Sequence, residues 1–173
     1  MKQRKLPLKD LAFFAMYAAL TCAFQWILAG LPNIHATGML TMLITLLYRK
    51  KALIPIFLYV LIMGLVNGFA LWWLPYLYAW PVLWGMTMLI PQSLPVKWKA
   101  VIYPAVCALH GLIYGTLTAP GFLLAFGLSF RQFPAYVISG LPYDLIHAAG
   151  NLAMGLLILP LYTVLKKVKE RHA

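Results

Sequence analysis

Acidic side chains are almost missing from this chain. Asp10, Asp144 and Glu170 are the only three in 173 residues, and two of them sit near the chain ends. Chemistry that needs two carboxylates flanking one substrate has no second partner within one chain. Cysteine is scarce as well. Cys22 and Cys107 both lie in apolar stretches without C-x-x-C spacing, and read as buried thiols acting as small hydrophobes. No glycine-rich phosphate loop, G-x-S-x-G or H-E-x-x-H occurs. ATP hydrolysis through a P-loop, a nucleophile elbow and a zinc-protease helix are thereby excluded. Charged residues make up 10% of the chain, against about 25% in a soluble domain. With 64% hydrophobic residues and a mean hydropathy of +0.85, the chain cannot hide its apolar surface from water, so the implied solvent is lipid.

What charge there is has mostly one sign, and it is grouped. Lys2, Arg4, Lys5 and Lys9 open the chain; Arg49, Lys50 and Lys51 form a second cluster; Lys97 and Lys99 a third; Lys166, Lys167, Lys169 and Arg171 close it. Only Arg131 stands apart. The net charge of +11 invites a nucleic-acid reading, but these residues bracket apolar stretches instead of lining one face, so no nucleic acid is expected as a partner. They match the Lys/Arg excess of cytoplasmic loops, with the anionic inner leaflet of the lipid bilayer as their partner.

Two spans between each cluster and the next make six, at about 10–29, 35–48, 52–73, 78–91, 99–118 and 142–165. About 20 residues cross a hydrocarbon core. The second and fourth spans are therefore short, and need thinning, shielding by neighbours or completion by interfacial residues. The first span follows a basic start, as a signal peptide does, but its length and weak cleavage site at 29–32 make it a retained helix. The apolar runs are continuous, not alternating, which excludes a β-barrel. The expected fold is an all-α integral membrane protein: one domain, 1–173, of six transmembrane helices in one bundle, N- and C-termini cytoplasmic. Outside, 30–33 is expected to be a tight turn, 72–81 an aromatic link, and 119–141 a long connection of short surface helices.

Polar residues inside a bilayer are costly and tend to mark function. Counting a rise of about 1.5 Å per residue from the basic clusters puts Gln25, Asn67, Asp144, His147 and Asn151 in the outer half, and His110 near the midplane with Tyr114 one turn further out. Tyr143, Asp144, His147 and Asn151 are spaced to share a helix face. That stripe fits a polar organic ligand. It also fits structure: Asp144 near a helix start after Pro142, His147 hydrogen-bonded to Asp144, and Asn151 bridging helices. His110 and Asn67 carry the same two readings, ligand contact or packing. Trp72, Trp73, Tyr76, Tyr78, Trp80 and Trp84 are dense for an interfacial belt, and aromatic faces can sandwich a planar heterocycle. Arg131, the one external cation, would pair with an anionic substrate group or sit among headgroups. Ala15, Ala19 and Ala23 repeat every four residues along the first span, a small-residue face for packing or for docking another membrane subunit.

Three passages carry a family likeness: Ala15-Met-Tyr-Ala-Ala19 in the first helix, Leu31-Pro-Asn33-Ile-His35 opening the second, and Asp144-Leu-Ile-His147-Ala-Ala-Gly150-Asn151 in the sixth. With basic ends and six spans, the chain resembles the substrate-binding S component of energy-coupling factor transporters. The resemblance implies a subunit of a bacterial or archaeal cell membrane, not an enzyme and without a cofactor, that captures a vitamin or related micronutrient from outside. It implies docking through Ala15, Ala19 and Ala23 on a membrane scaffold (the T component) bound to two ATPase subunits, whose ATP hydrolysis topples the S component inward. The turn at Pro32 and Asn33 would belong to the outer gate. Ligand contacts are expected among Asn33, His35, Asn67, Trp72, Trp73, Tyr76, Trp80, Trp84, His110, Tyr114, Arg131, Tyr143, Asp144, His147 and Asn151. The rival readings are a stand-alone transporter coupled to protons through Asp144 and His147, a small intramembrane enzyme using His110 or His147, and a scaffolding protein without a ligand.

Overall fold

The structure is a computed structural model that describes residues 6–127 and 129–171. Lys2, Arg4 and Lys5 of the first basic cluster lie outside the described residues. Among those described there is no strand. Eight helices follow one another: α1 (Leu8–Ile27), α2 (Thr37–Tyr48), α3 (Leu53–Asn67), α4 (Tyr76–Met88), α5 (Val96–Leu112), α6 (Tyr114–Ala125), α7 (Phe133–Gly155) and α8 (Ile158–Arg171). Three runs are long and apolar enough to cross a membrane: Leu8–Ile27, Thr37–Asn67 and Val96–Ala125. A fourth, Phe130–Gly155 with Ile158–Arg171, counts if its 42° bend is taken within one span.

The 37–67 run is not one rod. Tyr17 on α1 donates its hydroxyl to the Leu40 carbonyl on α2, and Phe14, one turn nearer the start of α1, meets Tyr48 at the end of α2. So α2 runs antiparallel to α1. On α3, Lys51 just before the helix pairs with Asp10, and the Tyr59 carbonyl faces Cys22. So α3 runs parallel to α1 and reverses the course of α2. The reversal falls at Arg49, which takes φ 52°. Two bonds hold that unfavourable backbone: Arg49 Nη2 donates to the Met88 carbonyl (2.8 Å), and Trp84 Nε1 donates to the Arg49 carbonyl (3.1 Å).

The same end gathers the other basic groups. Lys169 donates to the Leu47 carbonyl at 2.6 Å and lies 3.9 Å over the Tyr48 ring. Lys51 pairs with Asp10 at 3.2 Å, and Gln92, ahead of α5, shares a groove with Lys166 and Lys169. Lys9, Arg49, Lys50, Lys51, Lys166 and Lys169 therefore collect at one end of the bundle, and Arg131 sits exposed on the turn Phe130–Gln132.

Helix α2 is buried from Thr37 to Leu47 on every side. At 12 residues it is about 18 Å long, and its burial supplies the shielding that so short an apolar helix needs. Around it the outward faces are apolar, with Leu89 83% and Leu124 84% exposed, a surface suited to lipid. The closest helix approach is between α5 and α7. A Cβ on Gly155 would lie 2.6 Å from Pro104 Cα, and one on Gly111 would lie 2.9 Å from the His147 carbonyl oxygen. The glycines let the two backbones touch.

Several sequence expectations shift. The third span is cut short at Asn67, because Gly68 at φ 86° turns the chain before the separate 3₁₀ turn Leu71–Trp73. The 119–141 connection is mostly helix. α6 runs through Pro120 to Ala125, and α7 starts at Phe133 with Pro134 in its first turn, where proline is favoured. Pro142 is absorbed within α7. Prolines interrupt membrane helices less than soluble ones, because neighbours satisfy the freed backbone groups.

Candidate functional site

The polar stripe of α7 faces inward. Asp144, His147 and Asn151 are 4%, 2% and 1% exposed, whereas Tyr143 is 62% exposed and lies off the stripe. Adjacent residues on a helix diverge by about 100°, so Tyr143 cannot share the face of Asp144. His147 meets three other elements through a closed circuit of rings. His35, ahead of α2, lies 4.5 Å from His147 between centroids; Tyr114 at the start of α6 lies 4.8 Å from it; Tyr114 lies 5.8 Å from Trp80 of α4; and Trp80 lies 6.0 Å from His35. His110 of α5 touches both Trp80 and Tyr114, and Tyr76 touches Trp80.

The local chemistry of this cluster is unusual for so apolar a bundle. His35 Nδ1, Trp80 Nε1, His110 Nδ1, Asp144 Oδ2, His147 Nε2 and Asn151 Oδ1 are buried and have no hydrogen-bond partner among the described residues. Leaving one such group unpaired costs about 1–3 kcal/mol. Other atoms of the same side chains are engaged. His110 Nε2 lies 3.0 Å from the Ala79 carbonyl. A carbonyl only accepts, so Nε2 carries the hydrogen, and on a neutral ring Nδ1 is a bare acceptor. Asn151 Nδ2 donates to the Cys107 carbonyl at 3.1 Å, which turns Oδ1 toward Gly38 at the start of α2.

No protein-family model, curated protein or solved structure matches this chain.

Asp144 owes its place to a break between α5 and α6. The helix is interrupted at Ile113, and the freed Gly115 N–H donates to Asp144 Oδ1 at 2.9 Å. The expected helix start after Pro142 does not exist, because α7 begins at Phe133. Instead Asp144 caps the amino end of α6, where a carboxylate is favoured. His147 makes no hydrogen bond to Asp144; its neighbours are the His35 and Tyr114 rings.

The remaining expected residues divide by position. Asn33, at φ 59°, opens the segment that carries His35, and its carbonyl approaches Gly150. Trp72 touches Tyr76 at the edge of the cluster. Trp73 is tied to α3 by Nε1 donating to the Val60 carbonyl at 2.7 Å. Asn67 is exposed and donates to the Met63 carbonyl of its own helix. Trp84 lies at the basic end on the Arg49 carbonyl, and Arg131 and Tyr143 are exposed; none of the four reaches the ring cluster. On α1, Ala15 and Ala19 are exposed and Ala23 is half-buried, while Ala18 and Cys22 face the core. Sequence reasoning missed Tyr59, which packs on Tyr76 and Trp80. It also missed Gly111 and Gly115, whose four-residue spacing is the small-residue signal that marks a close helix seam.

Proposed function

We propose that this chain is the substrate-binding S component of an energy-coupling factor transporter. It would span a bacterial or archaeal cell membrane six times, as α1, α2, α3, α4, α5–α6 and α7–α8, with both termini cytoplasmic. The basic clusters would face the cytoplasm and the ring cluster the outer half. The function is capture of a planar vitamin or related micronutrient. A membrane scaffold docked on the exposed Ala15 and Ala19 of α1, with two ATPase subunits, would supply the energy.

One observation carries the reading. Four partnerless polar atoms, on His35, Trp80, His110 and His147, converge from four elements among touching aromatic rings, and Asp144 Oδ2 and Asn151 Oδ1 lie one turn to either side of His147 on the same buried stripe. Rings supply stacking area and the polar atoms fix orientation, the usual division of labour in a small-molecule site. The rings touch one another, so a guest enters by parting them. The irregular 28–36 segment bearing His35 is the piece that can move without breaking a helix.

The test is native mass spectrometry of the detergent-extracted chain, with thermal shifts against a micronutrient library. A co-purified or stabilising small molecule is expected; its consistent absence refutes the reading. The buried carboxylate of Asp144, one turn from His147, favours a second reading, a proton-coupled transporter working alone. Uptake in cells that lack any energy-coupling ATPase would select it.

A further inference from the structure

Resting on the binding-subunit reading, we infer that the ligand presents a cationic or strongly N–H-donating group to Asp144, on a planar heterocycle held by Trp80 and Tyr114. The first argument is charge. Asp144 is 4% exposed and forms no ion pair among the described residues. Its Oδ1 is satisfied by one neutral N–H, and its Oδ2 has no partner. A buried carboxylate left so is costly and calls for a proton or a cation.

The second argument is the sense of the other polar atoms. His110 presents a bare acceptor at Nδ1, and Asn151 presents its amide oxygen. Together with Asp144 Oδ2 that makes three acceptors on α5 and α7, against one fixed donor, Trp80 Nε1, and the Tyr59 hydroxyl, which can serve in either sense. The imidazole atoms of His35 and His147 adapt to either sense. The complement of such a wall is rich in N–H groups. The third argument is the rings. Tyr76 and Tyr114 each offer a ring within 6 Å of Trp80, and aromatic faces attract a cation as well as stacking on a flat ring.

One feature opposes this. The amino end of α2 lies at the floor of the cluster and carries about half a positive charge. An ionised Asp144, with a full charge against a half, outweighs it, and sits two turns along α7 from Asn151, the residue that reaches that floor.

The experiment uses the full chain in lipid nanodiscs. Tryptophan fluorescence and thermal shift are measured with planar cations (thiamine, 1-methylnicotinamide), neutral rings (nicotinamide, riboflavin) and anions (nicotinate, folate). The tightest binder is expected among the cations, with Asp144→Asn weakening it roughly 10- to 100-fold, the worth of a hydrogen bond to a charged group. Asn keeps an oxygen for the Gly115 N–H, so the fold should survive. As a second variant, Gly115→Ala would set a Cβ 2.5 Å from Asp144 Oδ2 and displace the carboxylate; it is expected to weaken the cation in the same direction. An anion or neutral ring as tightest binder, or a cation whose affinity is unmoved in both variants, overturns the inference while leaving the binding-subunit reading intact. No binding by any class overturns both.

Discussion

Gly140 and Gly155 sit on the same helix, α7, and the same substitution should act on them with opposite sign. A Cβ at Gly140 meets nothing within 4 Å. Alanine there gains the helix propensity that glycine lacks, about 0.5–1 kcal/mol. At Gly155 the new Cβ would lie 2.6 Å from Pro104 Cα and 3.0 Å from Pro104 Cβ. Pro104 Cα is backbone within α5, so no side-chain rotation relieves the contact, and the helices must separate. Overpacking of this kind costs about 1–3 kcal/mol. Gly140 lies inside α7 and Gly155 is its last residue, so propensity contributes at most about 1 kcal/mol to the difference and the contact at the seam supplies the rest. Gly155→Ala should therefore be less stable than Gly140→Ala by about 1–3 kcal/mol, or roughly 2–12 °C in Tm for a chain of this size. Thermal unfolding of both in one detergent, followed by tryptophan fluorescence, measures the gap. Equal midpoints for the two would refute the close α5–α7 seam.

Three further outcomes follow from the arrangement. Trp80→Ala should cost about 3–5 kcal/mol of stability, since the ring is buried at the centre of the cluster, whereas Trp80→Phe should stay within about 1.5 kcal/mol of the parent because Nε1 has no partner to lose; detergent melts compare them. A membrane-impermeant maleimide on intact cells should label Arg131→Cys and spare Lys50→Cys until the cells are opened; both native cysteines are buried and need no removal, and the reverse pattern would invert the proposed orientation. Ala19→Trp on the exposed face of α1 should leave ligand binding by the purified chain unchanged and reduce ATP-driven uptake at least tenfold, an outcome that a stand-alone transporter would not give.

Periodicity and charge made much of this architecture readable. The basic clusters announced which termini and turns lie together, and Lys51, Lys169 and Asp10 meet at one end. The spacing of Asp144, His147 and Asn151 announced one buried stripe, because a polar residue in an apolar helix is affordable only where it turns inward. Helix limits were less readable. Pro120 and Pro142 look like ends in sequence, yet α6 and α7 pass through both. The aromatic run was least readable of all. Trp80 and Trp84 are one turn apart in a segment where almost every residue is large, and composition does not tell a cluster residue from one bonded to the Arg49 carbonyl. That difference comes from which neighbour faces each turn, information held in α2, α3 and α5 and not in the run itself. The break at Ile113, which frees Gly115 for Asp144, is marked in sequence only by the flanking Gly111 and Gly115.

The short helix at the centre has a consequence for passage. Its eleven enclosed residues, 37 to 47, lie directly beneath the site and fill the way to the basic end. Under the proposed function, a solute above it would meet packed side chains, and clearing them would mean unpicking the core. If the chain passes a ligand inward as proposed, turning the whole body with its cargo aboard would therefore cost less than opening a channel through its middle.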